Sequence, residues 1–210
     1  MALKNEENAN IIKANKEYMY IVLTTILLTT IFAKNNVPYF YLFVQLFGIL
    51  IPTLFLINKN QKISSLKDLN INPINKKELL FTIIIAIFAY PLITILNSII
   101  VSFLPNVDSS KVSFAGAENV KSLFLQILIF AFIPSIVEEL FFRGYLLKRF
   151  MGKGEIFAIT YSSFLFALAH LNPYNFISPF VLGFVLTTLT IRTKSILPSI
   201  IGHLINNVLA

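Results

Sequence analysis

The sequence has no cysteine and no tryptophan. Without cysteine there can be no disulfide, no thiolate metal site and no cysteine nucleophile. Charge is also scarce. Asp, Glu, Lys and Arg make up 13% of the 210 residues, about half the share usual in soluble domains. Only ten residues are acidic, and only two are histidine. Apolar residues take their place: 56% of the chain is hydrophobic, 21 residues are phenylalanine, and the mean hydropathy is +0.77. This balance argues against a soluble enzyme, a disordered tail or a disulfide scaffold. The formal net charge of +7 would suggest nucleic acid in a soluble chain. Here it is read as lysine on membrane-flanking loops, and no nucleic-acid partner is expected.

The apolar residues fall into seven runs: Tyr18–Ala33, Pro38–Ile57, Leu79–Leu104, Ser122–Leu147, Ile156–Leu171, Phe176–Ile191 and Ile196–Ala210. A spanning helix needs ~20 such residues. The expected fold is therefore all-α: a polytopic transmembrane helical bundle of about seven spanning helices enclosing an intramembrane cavity, with residues 1–210 forming one integral-membrane domain. The last two runs are short for full spans. Residues 1–17 are polar and of mixed charge, and no small-x-small cleavage pattern follows the first run. That run is read as an uncleaved first span rather than a signal peptide. The lysine-rich connector Asn58–Glu78 carries Leu66, Leu69 and Ile71. It is either a membrane-surface segment or a solvated loop.

With the N-terminus inside, fourteen of the seventeen Lys and Arg fall on inner segments. Only Lys34, Lys111 and Lys121 fall outside. Positive residues favour the cytoplasmic side, so the expected location is the cell membrane, multi-pass, with a cytoplasmic N-terminus.

Five ionisable side chains interrupt the apolar runs: Glu138, Glu139, Arg143, His170 and His203. Charge near the bilayer centre costs ~2.5–3.5 kcal/mol even on insertion scales, so such residues are functional candidates. Glu139 and Arg143 are four residues apart and share a helix face, as do Phe166 and His170, and His203 and Asn207. Measured from the inner helix ends at ~1.5 Å per residue, Glu138, His170, His203 and Asn207 lie ~12–22 Å deep, in one slab around the midplane. A carboxylate and an imidazole can hold and deprotonate water. A second imidazole and a carboxamide can donate hydrogen bonds to the oxyanion formed when water attacks a peptide carbonyl. Glu138, His170 and His203 could also form a zinc site, although an arginine beside the glutamates favours a metal-free reading. Pro134, one turn before the glutamates, either opens the helix or is an ordinary membrane-helix proline. Gly144 either permits close helix approach or carries a turn, and Phe166 is read as packing. Arg143 could instead snorkel to lipid phosphate.

Glu138-Glu139-Leu140-Phe141-Phe142-Arg143 has the form EExxxR, Phe166–His170 the form FxxxH, and His203–Asn207 the form HxxxN. In this order, over residues 120–210, they resemble the CPBP (Abi) family of type II CAAX prenyl endopeptidases and bacteriocin-processing or bacteriocin-immunity proteins. The resemblance implies an intramembrane glutamic endopeptidase with no cofactor, acting on membrane-associated peptides or proteins in the lipid bilayer. Glu138 would be the general base on water, aided by His170. His203 and Asn207 would line the oxyanion hole. Glu139 and Arg143 would support the first carboxylate and the cavity. Two other readings stand beside it: a non-catalytic protein of bacteriocin self-immunity or scaffolding, and a proton-coupled transporter.

Overall fold

A computed structural model describes residues 2–34, 40–60, 65–103 and 119–210. Lys62, Leu104, Lys111 and most of the polar loop preceding Lys121 lie outside the described residues. Among the described residues the apolar runs form seven main helices: α1 (Ala2–Lys34), α2 (Phe40–Lys59), α3 (Lys76–Ser102), α4 (Val120–Lys153), α5 (Glu155–Ala169), α6 (Ile177–Thr193) and α7 (Leu197–Leu209). No strand is present among them, so the all-helical expectation holds. Three of the helices, α2, α3 and α4, are long and apolar enough to cross a membrane. Helices α5 to α7 are apolar but shorter. The 13 residues of α7 reach only ~20 Å, less than the ~30 Å hydrocarbon core. Among the described residues seven helices are thus observed where seven runs were read, and the C-terminal three have fewer than 18 residues each.

The first helix departs most from the sequence reading. The polar lead is itself helical, so α1 begins at Ala2 rather than near Tyr18. Its charged half presents an apolar stripe of Ala14, Tyr18 and Ile21, all buried. The spacing of four and three residues makes one helix face. Tyr18 OH donates to the Leu165 carbonyl on α5 at 2.9 Å, and Glu17 pairs with Arg149 of α4 at 3.4 Å.

Helix α4 is central and touches α1, α2, α5 and α7. Helices α5 and α6 pack side by side, and α7 lies against α3, α4 and α6. Helix α7 lays Ser199, Gly202 and His203 inward, a stripe at helical spacing. Ser199 Oγ donates to the Leu186 carbonyl at 2.7 Å.

Wide turns, with hydrogen bonds reaching five residues back, occur in α2 and twice in α4. Ile51 N–H bonds Leu46 O, Ile133 N–H bonds Leu128 O, and Leu147 N–H bonds Phe142 O. The first two are followed directly by Pro52 and Pro134. Proline lacks an N–H, and its ring crowds the carbonyl four residues back; a wide turn there relieves the clash. Pro134 therefore does open its helix. The third turn has no proline and spans Leu140–Leu146, directly after the glutamates.

The described part of the connector before α3 is held to the rest of the molecule rather than free. Its short turn Leu66–Leu69 buries Leu69 and leaves Leu66 exposed. A Cβ on Gly144 would lie 3.2 Å from the Leu69 carbonyl, so Gly144 serves close approach. Ile196 N–H donates to Asn70 O at 2.8 Å, and Ser195 Oγ to Asn72 O at 2.6 Å. Lys148 Nζ donates to Lys67 O at 3.3 Å. The connector thus ties the C-terminal end of α4 to the α6–α7 turn.

A Cβ on Gly183 would meet the Ser163 backbone Cα at 3.1 Å and the Phe166 ring at 3.2 Å. Neither neighbour can yield easily, since both are buried on α5. Gly183→Val is expected to destabilise the α5–α6 pair by about 1–3 kcal/mol. The readout is the thermal unfolding midpoint in detergent; an unchanged midpoint would contradict this account of the helix crossing.

Candidate active site

Glu138 and Glu139 are adjacent, so their side chains leave α4 about 100° apart. They face different surroundings. Glu139 is fully buried, and so is Arg143 one turn later. Glu139 Oε1 accepts from Arg143 Nη1 at 2.8 Å and from His203 Nδ1 at 2.9 Å. Arg143 also donates from Nη2 to the Gly183 carbonyl at 3.1 Å and from Nε to Thr187 Oγ1 at 3.3 Å. Its guanidinium lies 4.4 Å from the Phe166 ring centroid, a cation–π contact. With no exposed surface, Arg143 does not snorkel to lipid. Three of its five N–H donors are thus engaged, by Glu139, the Gly183 carbonyl and Thr187.

Glu138 is half-buried and lines a cavity of about 450 Å³. His170, His203 and Asn207 line the same cavity. Four side chains from three helices, brought to one slab by the sequence reading, therefore face one space. Apolar wall is added by Leu123, Ile127, Phe130 and Pro134 of α4 and by Tyr41 of α2. Glu139 and Arg143 stand behind this wall, not on it. The expectation that they support the first carboxylate is therefore refined: Glu139 holds His203, and no hydrogen bond runs from it to Glu138.

Both imidazoles are held through Nδ1. His203 Nδ1 faces the Glu139 carboxylate, and His170 Nδ1 lies 2.8 Å from the Phe166 carbonyl. Both partners are acceptors, so each Nδ1 carries the hydrogen and Nε2 is the nitrogen offered to a cavity occupant. Phe166 lies edge-on to both rings, with centroids 4.9 Å from His170 and 5.6 Å from His203. It does pack, as read, but it packs against Arg143 and both histidines together. His170 closes α5. Leu171 follows in the left-handed region at φ 53°, and Pro173 opens the next turn, capped by Asn172 Oδ1. The helix thus ends where the imidazole must stand free.

Sequence reasoning missed Gln45. Its Nε2 donates to Glu138 Oε1 at 2.8 Å, and the side chain lines the cavity from α2. The signal was available: Gln45 is the one carboxamide in the apolar run Pro38–Ile57. Among the described residues no group of three or more His, Asp or Glu is close enough together to hold a metal ion.

The family model for type II CAAX prenyl endopeptidase Rce1-like proteins matches residues 120–209. The matched stretch contains all three motifs and helices α4 to α7. It supports a membrane peptidase of the CAAX protease type in general. Tyr41 and Gln45, which complete the cavity, lie outside it. No curated protein matches the chain, and no solved structure matches it.

Removing one partner of a buried ion pair strands the other in a medium that solvates it poorly, a loss of about 3–5 kcal/mol. Arg143→Met is expected to lower the unfolding midpoint in detergent accordingly. A variant as stable as the parent would show that Arg143 is not the counter-ion that keeps Glu139 buried.

Proposed function

We propose that this chain is an intramembrane endopeptidase that hydrolyses peptide bonds of membrane-associated proteins or peptides with water activated by Glu138 and His170. The observation that carries the reading is the convergence of Glu138, His170, His203 and Asn207 on one cavity with apolar walls. An extended peptide segment would lie in that cavity with its scissile carbonyl between the Glu138 side and the α7 side. Glu138 accepts a proton from water as it attacks. His170, oriented through the Phe166 carbonyl, presents Nε2 as an acceptor to the same water, and the proton taken up by Glu138 is passed on to the leaving amine as the C–N bond breaks. Asn207 supplies an N–H to the developing oxyanion, and His203 supplies Nε2–H in its doubly protonated form. The Glu139 carboxylate at 2.9 Å offsets the imidazolium charge in that form. No step is routed through a metal.

Membranes expressing the parent chain or Glu138→Gln at equal levels separate this reading from a non-catalytic role. New peptide termini, mapped by mass spectrometry, are expected with the parent and to be lost by at least ~100-fold with Glu138→Gln. They are expected to persist when a zinc chelator is added. Equal termini in the two membranes would sink the peptidase reading.

We also propose that the lysine-rich connector faces the cytoplasm. The absence of cysteine makes single-cysteine labelling clean. In intact cells a membrane-impermeant maleimide is expected to label Lys121→Cys and to spare Lys77→Cys. The reverse pattern would invert the topology.

A further inference from the structure

Beyond the residues matched by the family model, the geometry points to Gln45 as a positioning residue for Glu138. This inference rests on the reading of Glu138 as the base. Three observations carry it. First, Gln45 Nε2 donates to Glu138 Oε1 at 2.8 Å, the only hydrogen bond to the Glu138 side chain among the described residues. One carboxylate oxygen is thereby fixed, and Oε2 is left to receive a proton from water. Second, the arrangement is unfavourable for the glutamine itself. Its Oε1 is buried and has no hydrogen-bond partner. A buried polar atom without a partner destabilises the fold, and methionine or leucine would fill the site without that cost. Rotating the amide by half a turn does not help, because it would place the glutamine oxygen against a carboxylate oxygen. Third, the backbone is adapted at this point. Gln45 lies in the wide turn Val44–Leu50 of α2, in which Val44, Gly48 and Ile49 are buried and Phe47 is exposed. The extra residue in the turn changes the helical register there, so that a carboxamide faces the cavity while Val44, Gly48 and Ile49 pack inward.

A hydrogen bond to the charged form of a carboxylate favours that form. Without it, the Glu138 carboxylate loses a donor to its charged form and rotates more freely. Gln45→Met keeps the volume and apolar character of the site and removes the donor. Gln45→Glu places a second carboxylate at the same point. The test uses isolated membranes expressing each variant and follows the rate of formation of the Glu138-dependent termini from about pH 5 to 9. Gln45→Met is expected to slow that rate about 10- to 100-fold at neutral pH and to move its acid limb to higher pH. Gln45→Glu is expected to move the limb further in the same direction, because two like charges in contact cannot both be held easily. A merely structural role would lower the amount of folded protein without moving the pH profile. Parent-like rates and an unmoved acid limb in both folded variants, with Glu138→Gln inactive, would overturn the role of Gln45 and leave the peptidase reading intact. Absence of Glu138-dependent termini in the parent would overturn the peptidase reading and this inference with it.

Discussion

A carboxylate taken out of water inside a helical bundle needs counter-charge and hydrogen bonds, and the arrangement around Glu139 supplies both. Arg143 and His203 reach the same oxygen, at 2.8 and 2.9 Å. Because Arg143 also grips the Gly183 carbonyl and Thr187, one carboxylate ties α4 to α6 and α7. The small residues follow from this. Gly183 lets α5 and α6 touch. Gly202 brings α7 against Leu186 and Ala86. Larger side chains at these points would separate helices that must meet around the buried charge. Such clusters contribute little net stability compared with apolar packing, and truncating one member is costly. Here the cluster sets the orientation of an imidazole.

The two adjacent glutamates thus divide the work between structure and chemistry. Glu139 turns into the protein and fixes His203. Glu138 turns into the cavity, where His170 and Asn207 also stand. The helical rotation of about 100° between neighbours is enough to separate the roles. Wide turns flank the pair in α4, one ahead of Pro134 and one through Arg143 and Gly144. They adjust the helix register on either side of the chemistry. Phe166 fills the centre, with a cation over its ring and both imidazoles steeply inclined to it. A single aromatic ring therefore sets the spacing between the two histidines and the arginine.

Much of the site was legible in the sequence, because charge in an apolar run is conspicuous. Glu138, His170, His203 and Asn207 stood out by type, and helical spacing with alternating helix direction put them in one slab. Composition and spacing did not separate Glu138 from Glu139, and only the family resemblance did, since the partition depends on what α6 and α7 present to each face of α4. The burial of Arg143 was hidden for the same reason: a helix-end arginine and a buried counter-ion read alike until the neighbours are known. Gln45 lies 93 residues before its partner, and no local spacing links the two. The polar start of α1 was read as a lead because its composition is charged. The Ala14, Tyr18, Ile21 stripe carries the helical signal, and only contact with α4 and α5 gives it a surface to cover. The connector's role was equally remote, since its hydrogen bonds go to residues more than 70 positions away.

The central claim is that Glu139 and Arg143 act as one buried unit that orients His203 rather than as a source of stability. A double-mutant cycle tests it most directly, with Glu139→Met, Arg143→Met and the combined variant compared by thermal unfolding in detergent and by Glu138-dependent cleavage in membranes. The account predicts that the combined variant is more stable than either single variant, because no buried charge is left without its partner, and that cleavage is not recovered because His203 has lost its acceptor. Additive losses of stability, or cleavage restored in the combined variant, would contradict it.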